Sequence, residues 1–162
     1  MQPALFDTSI YISALRRGND AALALRRLAA DAPLWLSSVV LEELYAGAGD
    51  RERRVMERLE RDFDRAKRIL VPNLSDWTQT GRVLARLAAK YGYEQIGQGW
   101  LTNDALIASA GRLGIRVLTA NERDYRRLAE FRAFQWQVTT FQNSTAKDAF
   151  GFAAPVLLAT FK

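Results

Sequence analysis

Asp7, Glu43, Asp104 and Asp124 stand in LFDTS, SSVVLEELYAG, TNDALIASA and TANERDY, at places where the chain pattern ends the strands of an open α/β sheet or starts the helices beside them. Two carboxylates about 4 Å apart repel by roughly 4 kcal/mol at an effective dielectric of about 20, so four gathered together need protons or a hard cation to offset them. All-oxygen ligation points to Mg2+ or Mn2+. The chain has no histidine and no cysteine. That removes Ser-His-Asp and Cys-His triads, Cys/His zinc sites, histidine-ligated haem, iron–sulfur clusters and disulfides. Catalysis is left with carboxylates, hydroxyls, amines and bound metal, and the lack of cysteine fits a reducing compartment.

Each acid also has an ordinary reading. Asp7 and Asp104 can serve as helix N-caps or first-turn residues, where a carboxylate satisfies free N–H groups and the helix dipole. Glu43 shares a helical row with Val39 and Gly47 and turns inward, whereas Glu42 suits the surface; Ala46 and Gly47 leave room beside it for a ligand or another chain. Asp104 heads a run of small and apolar residues, Ala105 to Ala110, which predicts a buried helix. Asp124 either joins a second metal or caps a helix beginning at Tyr125.

The elements that would carry these residues alternate. Strands are predicted at 3–6, 34–38, 69–71, 116–119 and 135–138. Helices are predicted after Asp7, over 21–30, 39–46, 50–68, from Ser75 to about Tyr91, from a Thr102-Asn103-Asp104 cap to Arg112, and over 125–131, with a turn at 18–20 and a loop at 92–99. In the helix from Asp50, Met56, Leu59 and Phe63 form one side with Leu70 beyond them, and Glu57–Arg61 and Asp64–Arg68 are spaced as surface pairs. Alternation of this kind predicts an α/β fold with a parallel sheet of about five strands covered by helices on both faces, a three-layer α/β/α arrangement. Its ligand crevice lies at the carboxyl ends of the strands.

The motifs Phe6-Asp7-Thr8-Ser9, Ser38 with Glu43-Leu44 and Gly47, Asp104-Ala105-Leu106-Ile107-Ala108, Thr119-Ala120-Asn121 and Asp124-Tyr125 together resemble the PIN-domain ribonucleases, in particular VapC-type toxins of toxin–antitoxin pairs. The resemblance covers residues 3 to about 140. It implies a metal-dependent endoribonuclease that is held inactive by a cognate antitoxin protein. Asp7, Glu43, Asp104 and Asp124 then take the family's acidic positions, holding Mg2+ or Mn2+ directly or through water. Such an ion supplies an activated water and charge neutralisation for in-line attack on phosphorus. Thr8, Ser9, Thr119 and Asn121 are candidates to orient the carboxylates. Ser9 stands where the family often has Asn, and the segment after Val138 is longer than the family core requires.

At 162 residues and 49% hydrophobic content the chain is expected to form one domain, with a core at about 3–140 and an extension at 141–162. No signal peptide or membrane-spanning run is read, so a soluble cytoplasmic protein is expected. Net charge is +5 and nineteen of the 23 basic residues are arginine, a bias that suits phosphate and RNA as readily as a solvated helix surface. Partners expected are RNA, the antitoxin, and a second copy or a toxin–antitoxin hetero-oligomer. An aspartyl phosphotransferase needs a companion acid near Asp7 and a lysine after a later strand, and Lys67, Lys90, Lys147 and Lys162 occupy no such place. A catalytically inactive RNA-binding or protein-interaction module of the same fold is the other alternative.

Overall fold

The structure, a computed structural model, describes residues 1–17, 25, 29, 32–95 and 100–139. The turn expected at 18–20, the helix expected over 21–30, the end of the expected loop at 92–99 and the extension 141–162 lie outside the described residues.

Strand β1 (Ala4–Phe6) is buried along its whole length, which requires cover on both faces of the sheet. It pairs in parallel with β2 (Leu34–Ser37) on one side and with β4 (Arg116–Thr119) on the other, so that Ala4 faces Leu34 and Arg116. With β3 (Ile69–Leu70) and β5 (Trp136–Val138) the five-stranded sheet runs β3-β2-β1-β4-β5, every neighbouring pair parallel. Among the described residues six α-helices connect it: α1 (Thr8–Leu15), α2 (Ser38–Gly47), α3 (Asp50–Arg65), α4 (Leu74–Tyr91), α5 (Trp100–Ile107) and α6 (Glu122–Ala129). A 3-10 stretch over Ala108–Leu113 follows α5. The predicted α/β architecture is therefore the one observed. Strand order reverses between β1 and β4, and a crevice at the carboxyl ends of these strands is where such sheets bind ligands.

Local chemistry sets the helix ends. Ser37 closes β2 and caps α2, its hydroxyl accepting the Val39 N–H. Asn73 and Asp76 form a reciprocal capping box at the start of α4, one residue earlier than the Ser75 start read from sequence. Helix α3 buries Met56, Leu59 and Phe63 as its period predicts. It ends at Arg65 rather than Arg68, because Lys67 takes a φ of 54° as the chain turns toward β3, and Asp64 pairs with Lys67 instead of Arg68.

One glycine is needed for packing. A Cβ on Gly111 would lie 2.6 Å from the Phe134 Cβ, so the 3-10 stretch and the segment before β5 meet only because that side chain is absent. Phe134 packs in turn on Tyr125 and Trp136.

Candidate active site

Asp7 leaves β1 in extended conformation and caps α1. Its Oδ1 accepts the Thr8 N–H at 2.7 Å, while its Oδ2 accepts the hydroxyls of Ser9 and Thr119, each at 2.8 Å. Those hydroxyls are themselves oriented. Ser9 Oγ accepts the Ala120 N–H and Thr119 Oγ1 accepts the Asn121 N–H, so each has its proton left for Asp7. Asp7 is thus a helix cap whose second oxygen is held by two side-chain hydroxyls, and capping leaves it in place at the carboxyl end of β1.

Glu43 turns inward from α2 and Glu42 outward, as their helical positions predict. Both Glu43 oxygens are engaged: Oε2 accepts the Thr8 hydroxyl and Oε1 accepts Asn103 Nδ2 at 2.8 Å. Thr8 therefore joins Asp7 to Glu43, giving its amide to one and its hydroxyl to the other.

Asp104 departs from its predicted setting. Helix α5 starts at Trp100, not at a Thr102-Asn103-Asp104 cap, so Asp104 sits in the second turn of a buried helix with no free helix-end amides to satisfy it. Its partner is Asn121, whose Nδ2 donates to Asp104 Oδ2 at 3.1 Å and to Asp124 Oδ2 at 3.0 Å. Asp124 lies within α6 and is not its cap. The helix begins at Glu122, with Asn121 as the capping residue receiving the Asp124 N–H.

The four acids thus form two tied pairs, Asp7 with Glu43 through Thr8 and Asp104 with Asp124 through Asn121. Electrostatics brings the pairs together. Burial, and then the charges of Asp7, Asp124 and Glu43, push the Asp104 carboxyl up to about 8. Burial also opposes charging of Asp124, but hydrogen bonds from Arg123 and Asn121 and the charges of Arg123 and Arg127 outweigh it and hold Asp124 below the ordinary carboxylate range. Among the described residues, no three acidic side chains close on one point as a ready-made metal cage. The chemistry of the donor set nevertheless suits a divalent cation, because a carboxyl kept protonated by burial and then by three neighbouring acids lacks positive charge. The neighbouring arginines of α6 are engaged: Arg123 with Asp124, Arg126 with Glu122, and Arg127 over the Tyr91 ring at 4.8 Å.

Two residues here were not singled out by sequence reasoning. Asn103 was read as part of a cap, and its true place follows only once α5 is seen to start at Trp100. Tyr125 resembles plain core beside Leu128. It is 0% exposed, yet its hydroxyl is buried without a well-formed hydrogen bond. Burial, and after it the charges of Asp7, Asp104 and Glu43, raise its pKa well above the ordinary phenol value, with Asp7 near enough to attract the phenolic proton. The hydroxyl therefore approaches the acids from the core side.

The PIN domain model matches residues 4–131. No curated protein matches the chain. Among solved structures, the chain is similar to DNA-bound VapBC from Salmonella typhimurium, with a TM-score of 0.59 and 23% identity over 85% of this chain and 98% of that one. It is similar to VapBC-1 from nontypeable Haemophilus influenzae, with a TM-score of 0.56 and 25% identity over 83% and 96% of the two chains. FitAB bound to the IR36 DNA fragment gives a TM-score of 0.58 and 17% identity over 83% and 94%. A family match across the strands and helices that carry all four acids settles the affiliation: the chain belongs to the PIN-domain family.

Proposed function

We propose that the protein is a metal-dependent endoribonuclease and the toxin of a toxin–antitoxin pair. The observation that carries this reading is the gathering of Asp7, Glu43, Asp104 and Asp124 at the strand ends on either side of the β1/β4 reversal, where burial, with the charges of the other three added to it, keeps Asp104 protonated. Similarity to VapBC and FitAB structures supports the partner half of the proposal.

Asp7 and Asp104 would hold Mg2+ or Mn2+, with Glu43 and Asp124 ligating directly or through water. The ion, when bound, supplies an activated water and charge neutralisation at the phosphate. The chain's own part is preorganisation. Ser9 and Thr119 fix Asp7 Oδ2, and the Thr8 N–H holds Oδ1. Thr8 and Asn103 restrain Glu43, and Asn121 sets the spacing of Asp104 and Asp124. Release of the Asp104 proton frees its carboxylate for ligation, so cation binding and deprotonation are coupled there.

The antitoxin is expected to present a basic side chain to the acidic cleft, where a guanidinium competes with metal and RNA for the same charge. Apolar docking surface is offered by Ile12, which is 40% exposed, and by the partly buried Leu15 and Tyr45. A homodimer or toxin–antitoxin hetero-oligomer in the cytoplasm completes the proposal. Among the described residues, no helix is long and apolar enough to cross a membrane.

One observation favours the inactive-module reading: the acids form two separately tied pairs, and among the described residues no three acidic side chains close on one point. Cleavage decides between them. Stripped of metal, the protein should leave total RNA intact and should cut it when Mg2+ or Mn2+ is restored. Expressed alone it should arrest growth, and Asp7→Asn or Asp104→Asn should abolish both effects with the fold retained. Undiminished cleavage in EDTA, or arrest by these variants equal to wild type, would overturn the proposal.

A further inference from the structure

A second charged cluster lies at the opposite end of β4 from Thr119. Asp76, 1% exposed, serves the capping box of α4 and also accepts Arg112 Nε through both oxygens, at 2.9 and 3.1 Å. Arg112 stands in the 3-10 stretch that leads into the amino end of β4. Against that stretch, at the Gly111–Phe134 contact, runs the segment that carries Arg132.

The charges do not balance. Arg112 already matches the single negative charge of Asp76, and Arg132 adds a second guanidinium within electrostatic reach of both. Arg132 Nη1 is buried with no hydrogen-bond acceptor among the described residues. Burial pulls the Arg132 pKa down; the charge of Asp76 opposes this and that of Arg112 adds to it. Arginine does not lose its proton in proteins, so its buried N–H calls for an acceptor that the described residues do not supply, and an anion is one such acceptor. Arg116, the first residue of β4, also has its Nε buried without an acceptor among the described residues. Such a surplus of planar donors at one end of the sheet matches the oxygens of a tetrahedral anion.

We propose that Arg132 and Arg112 form a binding site for a phosphate-type oxyanion at the amino end of β4, remote from the acidic cleft. The ligand is inorganic phosphate or a phosphate of an RNA backbone. This site does not depend on the nuclease reading for its free-phosphate form.

The test is thermal melting of the metal-free full chain in EDTA, titrated with phosphate against chloride at matched ionic strength. Phosphate should raise the melting temperature of wild type and of Asp7→Asn alike. Arg132→Gln, which keeps much of the stem packing, should bind phosphate at least about tenfold more weakly, the effect of losing one charge-assisted hydrogen bond. It should melt no lower than wild type when phosphate is absent. Arg132→Lys, which keeps the charge without the fork, should fall between them and serves if the Gln variant does not fold. A wild-type shift no larger than that of chloride, or an equal shift in the Arg132 variants, overturns the proposal.

The source is read from RNA binding to Asp104→Asn protein. A salt slope lowered by about 0.7 on adding Arg132→Gln assigns the site to backbone phosphate of single-stranded RNA. An unchanged slope with the phosphate shift intact assigns it to the free anion. Loss of RNA binding in every form would count against the nuclease reading and leave the phosphate result standing.

Discussion

Metal-free protein should lose stability as pH rises from 5 to 8, and Asp104→Asn should abolish most of that loss. The Asp104 carboxyl has an ordinary value of 3.8 and is pushed up to about 8 in the fold. A folded-state pKa above the unfolded one means that, between the two, the native chain keeps a proton that the unfolded chain has released. Stability therefore falls with rising pH across that window and levels off above it. At about 1.4 kcal/mol per unit, the three units from pH 5 to 8 are worth on the order of 4 kcal/mol. For a chain of this size that is roughly 10 °C in melting temperature.

The background in this range is unusually clean, because the chain contains no histidine or cysteine. The assay is melting in EDTA at half-unit pH steps for wild type and Asp104→Asn, with the difference between the curves as the readout. Adding Mg2+ at pH 8 should restore wild type and leave Asp104→Asn much less changed. Parallel pH curves for the two proteins would refute the reasoning, since they would mean that burial and the neighbouring charges do not hold Asp104 protonated in the fold.

Tyr125→Phe should leave the metal-free melting temperature equal or higher, because a poorly satisfied buried hydroxyl is removed, while weakening Mn2+ binding several-fold by paramagnetic titration if the phenol steadies Asp7. Gly111→Ala should destabilise by about 1–3 kcal/mol in urea unfolding through the clash with Phe134, and a smaller residue at 134 should recover part of the loss. Asn121→Ala should remove the α6 cap, costing about 1 kcal/mol, and should also weaken Mn2+ binding by untying Asp104 from Asp124; a stability loss without a binding loss would limit Asn121 to capping.

The parallel sheet was legible because its strands are short, apolar and separated by amphipathic helices, as in Ala4–Phe6 before α1 and Arg116–Thr119 before α6. The inward turn of Glu43 was legible for a similar reason: helical periodicity is local. The surroundings of Asp104 were not. Trp100 and Leu101 follow a glycine-containing stretch, and nothing local shows that the helix starts there rather than at Thr102, so a residue in its second turn was read as its head. Nor does sequence spacing reveal that Asn121 reaches back to Asp104 and Asn103 across to Glu43. Those bonds depend on the pairing of β4 with β1 and on the packing of α5 beside α2. The Asp76–Arg112 pair escaped for the same reason, since each residue alone is an ordinary helix-end charge.

The hydrogen bond from Thr119 to Asp7 closes a span of 112 residues. Asp7 and Glu43 leave the ribosome early, but Asp104 and Asp124 join them only when β4 slots against β1. No amino-terminal fragment that stops short of β4 contains the cleft. On the nuclease reading proposed above, activity would thus arise late in synthesis, and a nascent chain that stops short of β4 would leave the RNA that encodes it uncut.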